Sequence, residues 1–204
     1  AADATGSSDT LKLETQLIAN DRTNTVEAKD IETLAITVTD STAAGDDTAT
    51  FALTKFEGTT VTATQKSTSS DNVIVALGTL HKNVTTVDMS GVKVAHSASL
   101  ANATSAGTIK LGGGGIATVT GTGYADTFTI GKTGNIVHAI TGGAGTDSLT
   151  ITANTGFADP SGIEVETITI DVVPGNVDLA IANTKNFNTN TTKIYLTGGN
   201  SLSS

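Results

Sequence analysis

The chain has 204 residues, roughly a fifth of them threonine, with 22 glycines, two prolines, 3% aromatic residues and a net charge of −9. No cysteine occurs and no apolar run reaches the length of a membrane-spanning helix, which excludes disulfides, thiolate metal sites and a membrane span. The 11 Lys and Arg are scattered singly among 20 Asp and Glu, without the clustered basic residues a phosphate backbone requires; no nucleic-acid partner is expected, and cations are favoured.

Helix formers are sparse and β-branched residues abundant, so the expectation is an all-β chain of many short strands with almost no helix. The few aromatic residues, Phe51, Phe56, Tyr124, Phe128, Phe157, Phe187 and Tyr195, cannot fill one broad core. A thin column of Val, Ile and Leu, such as a solenoid or thin sandwich provides, is expected instead.

Residues 1–25 are polar apart from an alternating stretch at 11–18, and read as an N-terminal arm or edge strand able to join a neighbour's sheet. Residues 26–105 read as a β-rich domain, either a sandwich or an irregular solenoid, with strands at 31–39, 48–53, 59–64, 72–77 and 84–89. Turn signals separate them: Ala44-Gly45-Asp46-Asp47, Glu57-Gly58 and residues 67–71. From 97 to 115 the chain runs through Ala, Ser, Asn and Thr into four glycines, Gly112 to Gly115. These read as the first turn of a further unit at 106–204 in preference to a linker, because Ile109 and Leu111 before them and Ile116 and Val119 after them already follow a strand pattern.

That unit repeats. Asp126 is followed by Thr-Phe-Thr-Ile, Asp147 by Ser-Leu-Thr-Ile and Glu166 by Thr-Ile-Thr-Ile, with steps of 21 and 19 residues, and a weaker phrase follows at 193–196. Second apolar runs at 136–140 and 177–181 lie between the phrases, as two short strands per coil require. A period near 20 is the signature of a solenoid. Glu32-Thr33-Leu34-Ala35-Ile36 and Val84-Thr85-Thr86-Val87-Asp88 repeat the phrase more loosely. The expected fold class is therefore all-β, a parallel β-solenoid, a β-roll or β-helix, in the C-terminal half joined to a β-rich N-terminal half.

Calcium enters through the stretch GGAGTDSLTI at 142–151, which matches the nonapeptide GGxGxDxUx at every defined position. Its glycines permit a tight turn whose carbonyls can face an ion, its Asp supplies a charged oxygen, and the large apolar residue starts a strand. A degenerate copy, GTGYADTFTI, carries Gly121, Gly123 and Asp126, with Thr122 and Tyr124 in place of glycines.

Other motifs fail. Gly131-Lys132-Thr133 ends like a phosphate-binding loop, but Asp126 stands where the earlier glycine belongs and a strand pattern follows, so a turn is expected there. His81, His96 and His138 have no HxH or HExxH spacing, and His138 reads as an outward or satisfied side chain. No GxSxG surrounds a serine. Glu164 and Glu166, two apart on an expected strand, would face one side, suiting a cation or a solvated face, with no aromatic or basic neighbours to position a substrate. Three sequons, at Asn83, Asn102 and Asn190, are what chance supplies in so Asn- and Thr-rich a chain. No enzymatic activity is expected.

The phrases GGAGTDSLTI, GTGYADTFTI, IETLAITVTD, VETITID and VTTVDMSG, with abundant Thr and no cysteine, resemble the RTX-type crystalline surface-layer (S-layer) proteins of Gram-negative bacteria, most specifically over residues 116–171. The resemblance implies a calcium-stabilised solenoid, export as an unfolded chain, folding on calcium outside the cell, and lateral assembly. It implies Ca2+ ligation by Asp147 with the turn of Gly142, Gly143 and Gly145, and by Asp126 with the turn of Gly121 and Gly123, one ion being shared between stacked coils. Asp159, Asp171, Asp46 and Asp47 are lesser candidates.

The function expected is that of a structural, non-enzymatic extracellular protein at the bacterial cell surface. It would self-assemble as a homo-oligomeric lattice or filament through strand edges, with a cell-surface glycan or lipopolysaccharide as anchor. The alternative is a repeat or binding module of a large secreted calcium-dependent adhesin. A carbohydrate binder would need exposed aromatics on one face, for which only Tyr124, Phe157 and Tyr195 are available.

Overall fold

The computed structural model describes residues 8–17, 21–40, 47–67, 73–113, 115–133, 138–153, 162–172 and 190–197. These form a β-solenoid without helix among the described residues. In chain order the strands are β1 (Thr10–Leu17), β2 (Arg22–Ala28), β3 (Thr33–Asp40), β4 (Thr48–Phe56), β5 (Thr60–Ser67), β6 (Ile74–Thr79), β7 (Thr86–Gly91) and β8 (His96–Ser99). They continue with β9 (Thr108–Leu111), β10 (Ala117–Thr120), β11 (Thr127–Thr133), β12 (Ala139–Thr141), β13 (Ser148–Ala153), β14 (Ile163–Glu164), β15 (Thr167–Val172) and β16 (Lys193–Thr197).

Odd strands and β16 build one parallel sheet in the order β1-β3-β5-β7-β9-β11-β13-β15-β16, and the even strands build a second, β14-β12-β10-β8-β6-β4-β2. Each coil thus lays one strand in each sheet, and every strand pairs with its counterpart one coil away. Because side chains alternate across a strand, a constant register stacks like on like. Leu34, Val61, Val87, Ile109, Phe128, Leu149 and Ile168 form one inward column of the odd sheet, all fully buried. Ala98, Val119, Ile140 and Ile163 do the same in the even sheet. The interior is the thin aliphatic column expected, each large side chain contributing about 1.5–3 kcal/mol by leaving water.

The strands expected at 31–39, 48–53, 59–64, 72–77 and 84–89 are β3 to β7, and the alternating stretch at 11–18 is the edge strand β1. They lie in the same two sheets as the strands of residues 106–204. The looser repeat of the first half has a simple cause. Paired positions run from Thr33 to Thr60 to Thr86, coils of 27 and 26 residues, because strands there are up to nine residues long. From Thr108 to Thr127, Ser148 and Thr167 the coils shorten to 19, 21 and 19. Gly112, Gly113 and Gly115 lie between β9 and β10, where Gly115 takes a left-handed φ of 71° and Gly112 leaves no room for a Cβ against the Val92 carbonyl.

Two local expectations change. Gly131, Lys132 and Thr133 belong to strand β11, whose pairing with β13 shifts register between Ile130 and Thr133, where a turn was expected. Glu164 and Glu166 do not share a strand: Glu164 ends β14 in the even sheet, and the chain corners at buried Val165 before β15 in the odd sheet. The run at 177–181, together with Phe157, Asp159, Phe187, Asp46 and most of the turn at 67–71, lies outside the described residues.

Candidate metal centre

The two nonapeptide-like segments are the corners that carry the chain from the even sheet back to the odd sheet, 121–126 between β10 and β11 and 142–147 between β12 and β13. The 21-residue coil sets one corner on the other, and this stacking explains most of the glycines. A Cβ on Gly121 would strike the Asp126 carboxylate and the Gly142 carbonyl, and one on Gly142 would strike the Asp147 carboxylate. Gly143 and Gly145 take left-handed φ values of 108° and 123° and press against Thr122 and against Tyr124 with Ala125. Gly123 is exposed, with no atom within 4 Å of an added Cβ.

Both aspartates are buried, at 1% exposure each. Asp126 Oδ1 accepts hydrogen bonds from the Gly107 amide at 2.5 Å and the Thr122 hydroxyl at 2.8 Å, and its Oδ2 accepts from the Thr122 amide at 2.6 Å. Asp147 Oδ1 accepts from the Asp126 amide at 2.7 Å, whereas Asp147 Oδ2 is buried without a hydrogen-bond partner. One coil on, Glu166 Oε2 accepts from the Asp147 amide at 2.7 Å, and near the start Glu32 Oε2 accepts from the Asp9 amide at 2.7 Å. A rule emerges that the sequence phrase held without revealing. Where an acid precedes an odd strand, as Glu32, Asp126, Asp147 and Glu166 precede β3, β11, β13 and β15, it reaches back one coil and caps the amide of the equivalent residue there.

The electrostatics follow. Burial pushes the Asp147 carboxyl up from the usual carboxylate range; the hydrogen bond from the Asp126 amide pulls it back, and the charges of Asp126 and Glu166 push it further up. A cation therefore has a reason to sit at Asp147, whose Oδ2 is an unclaimed buried acceptor. It has little at Asp126, where three donors hydrogen-bond the carboxylate and would have to be displaced. Calcium takes six to eight oxygens, and among the described residues no three acids or histidines gather as a metal cluster. Gly121 and Gly123 lie on the Asp126 side, and Gly142, Gly143 and Gly145 on the Asp147 side. Of the lesser candidates, Asp47 is buried with its Oδ2 unpartnered, and Asp171 is exposed on β15.

A second polar feature was not foreseen as buried. His96 of β8 pairs with Ala117 of β10, and His138, the residue before β12, hydrogen-bonds the same Ala117 from the next coil, with both imidazoles 2% exposed. Of the two expectations for His138, outward or satisfied, the first fails, since the ring is buried, and the second holds at one nitrogen. Its Nδ1 accepts the Ala117 amide at 2.9 Å, so the neutral ring carries its proton on Nε2. His96 Nδ1 lies 2.7 Å from the Val94 carbonyl and must donate to it, which leaves its Nε2 an acceptor. Neither Nε2 has a partner. Burial depresses both rings, His138 to about 4 with His96 adding to the fall.

Comparison with protein-family models, curated proteins and solved structures finds no match. Among the described residues no helix is long and apolar enough to cross a membrane.

Proposed function

We propose that this chain is a structural, non-enzymatic subunit of the bacterial exterior that self-assembles end to end, with calcium locking the corner at Asp147. The observation that carries the reading is the pair of open ends of the odd sheet. The inward column that starts at Leu11, 36% exposed, runs coil by coil to Ile194, 43% exposed, so the same core row is uncovered at both ends. Among the described residues, strands β1 and β16 are the two edges of one parallel sheet, and an edge strand is the natural place for another chain to pair. Seating β16 of one copy beside β1 of the next continues both the ladder and the column. Such a contact joins two different surfaces and propagates as a filament or lattice row.

A calcium ion would be held by Asp147 with the oxygen-rich turn 142–147, and would supply the positive charge that this buried carboxylate lacks. It would also shield part of the net charge of −9 that keeps copies apart. Extracellular location and a cell-surface glycan or lipopolysaccharide anchor belong to the same reading, which follows the resemblance to S-layer proteins.

The test is light scattering with circular dichroism on the purified chain during a calcium titration from chelator to millimolar. Growth of ordered assemblies with a rising β signal supports the reading. Folding without assembly would favour an adhesin module, and indifference to calcium would remove the ion from the account.

A further inference from the structure

The outward face of the odd sheet carries a two-dimensional array of hydroxyls. From Thr10 through Thr33, Thr60, Thr86, Thr108, Thr127 and Ser148 to Thr167, every paired position of its first outward column is Thr or Ser. Two residues along each strand lies a second column, and over β11, β13 and β15 it too is uniform, as Thr129, Thr150 and Thr169. We propose that this face, centred on Thr127, Thr129, Ser148, Thr150, Thr167 and Thr169, binds the surface of ice.

The argument rests on spacing, stiffness and chemistry together. Paired strands lie about 4.8 Å apart and alternate residues of one strand about 6.6 Å apart, so the hydroxyls and methyls form a net with a crystal-like repeat in both directions. The net is stiff because the alternate residues beneath it, Phe128, Ile130, Leu149, Ile151, Ile168 and Ile170, are all buried in the core. Threonine is itself restricted at χ1, so little side-chain entropy is lost when the array is engaged. A single hydroxyl against water gains nothing over solvent. A rigid periodic array gains at every point at once, but only from a partner that is also rigid and periodic, by the arithmetic of multivalent binding.

Other partners fit this face less well. The six residues themselves are uncharged, and charge stands only around them: Lys193 ends the first column beside Thr167, Lys110 flanks Thr129 in the second and lies 3.9 Å from Asp88, and Asp171 on β15 stands in the third. Two lysines on opposite borders of the patch, one of them near a carboxylate, are not the cluster a phosphate backbone needs. Sugar polymers stack on exposed aromatics, and the exposed aromatic in this net is Tyr195, half exposed on the edge strand. The even sheet is less regular. One of its outward columns, Thr23, Thr50, Ala76, Ser97, Thr118 and Ala139, is broken by two alanines, and its neighbour, Thr79, Ser99, Thr120 and Thr141, ends at Glu164, so the odd sheet differs in having two adjoining hydroxyl columns unbroken over the three coils β11, β13 and β15.

This inference does not rest on the assembly reading, and its test is separate. The full chain is added to a single ice crystal in a nanolitre osmometer and to a polycrystalline film, alongside Thr150→Lys and Thr129→Lys on the array and Thr118→Lys on the opposite sheet, each checked for fold by circular dichroism. The expected result is faceted crystals and suppressed recrystallisation with the parent chain and Thr118→Lys, and loss of both with Thr150→Lys or Thr129→Lys. Crystals that grow as in buffer overturn the proposal, as does equal loss in all three variants. Retention on crystalline chitin or cellulose without any effect on ice would assign the face to polysaccharide and overturn it too.

Discussion

The amide of Asp126 donates to the carboxylate of Asp147, 21 residues later, at 2.7 Å with both residues buried. One oxygen of that carboxylate thus fastens a coil, and the other, unpartnered, is where a cation would bind. Substitution separates these roles. Asp147→Asn keeps an acceptor for the Asp126 amide and removes a poorly solvated charge, so in chelator its denaturation midpoint is expected to stay level or rise. Asp147→Ala strands a buried amide, which costs about 1–3 kcal/mol. With calcium present, the parent chain should gain stability and Asp147→Asn should not. An equal calcium-dependent gain in both chains would place the ion elsewhere.

The glycines of the stacked corners are unequal, although the motif treats them alike. Gly143→Ala and Gly145→Ala each force an L side chain into a left-handed conformation against backbone one coil away, and each should cost about 1–3 kcal/mol. Gly123→Ala meets open space and should stay within roughly 0.5 kcal/mol of the parent. Urea midpoints of the three variants decide this, and a large loss at Gly123 would mean that the corner packs against something else.

Much of this fold could be read from residue order. The acid-hydroxyl-apolar phrases at Asp126, Asp147 and Glu166 gave the coil length, because parallel register stacks identical side chains and so repeats them in sequence. The first half was harder, since coils of 27 and 26 residues with longer strands blur a period that is still present in the register of Thr33, Thr60 and Thr86. The site was legible as residues but not as roles. Nothing in the spelling of the phrase says that an acid caps the amide one coil back, because that contact exists only after stacking. His138 is satisfied at Nδ1 but not outward: its partner, the Ala117 amide, lies one coil back and is reached only after stacking.

That histidine makes the fold sensitive to acid. In the native chain its ring stays neutral down to about 4, against 6.5 when solvated, so below 6.5 the unfolded chain takes up a proton that the native chain refuses. Stability should therefore fall as pH drops from about 6.5 towards 4, by roughly 3 kcal/mol for this group, and level off below. NMR titration of the imidazole separates it from the carboxylates that titrate nearby. A His138 ring that protonates near 6 would contradict the buried, amide-bound placement.

The open ends of the odd sheet make a prediction that a simple loss of assembly would not. Leu11→Lys places a charge where the first coil would receive a neighbour and leaves the β16 end intact, while Ile194→Lys does the reverse. Neither variant should polymerise alone. Because the contact joins unlike surfaces, an equimolar mixture can still form one productive junction, the β16 end of Leu11→Lys seated on the β1 end of Ile194→Lys, and no further growth follows from that pair. Analytical ultracentrifugation should accordingly find monomers in each separate sample and heterodimers in the mixture. Monomers throughout would show that the ends are not the contact surfaces, and homodimers of either variant would require a self-complementary interface elsewhere on the solenoid.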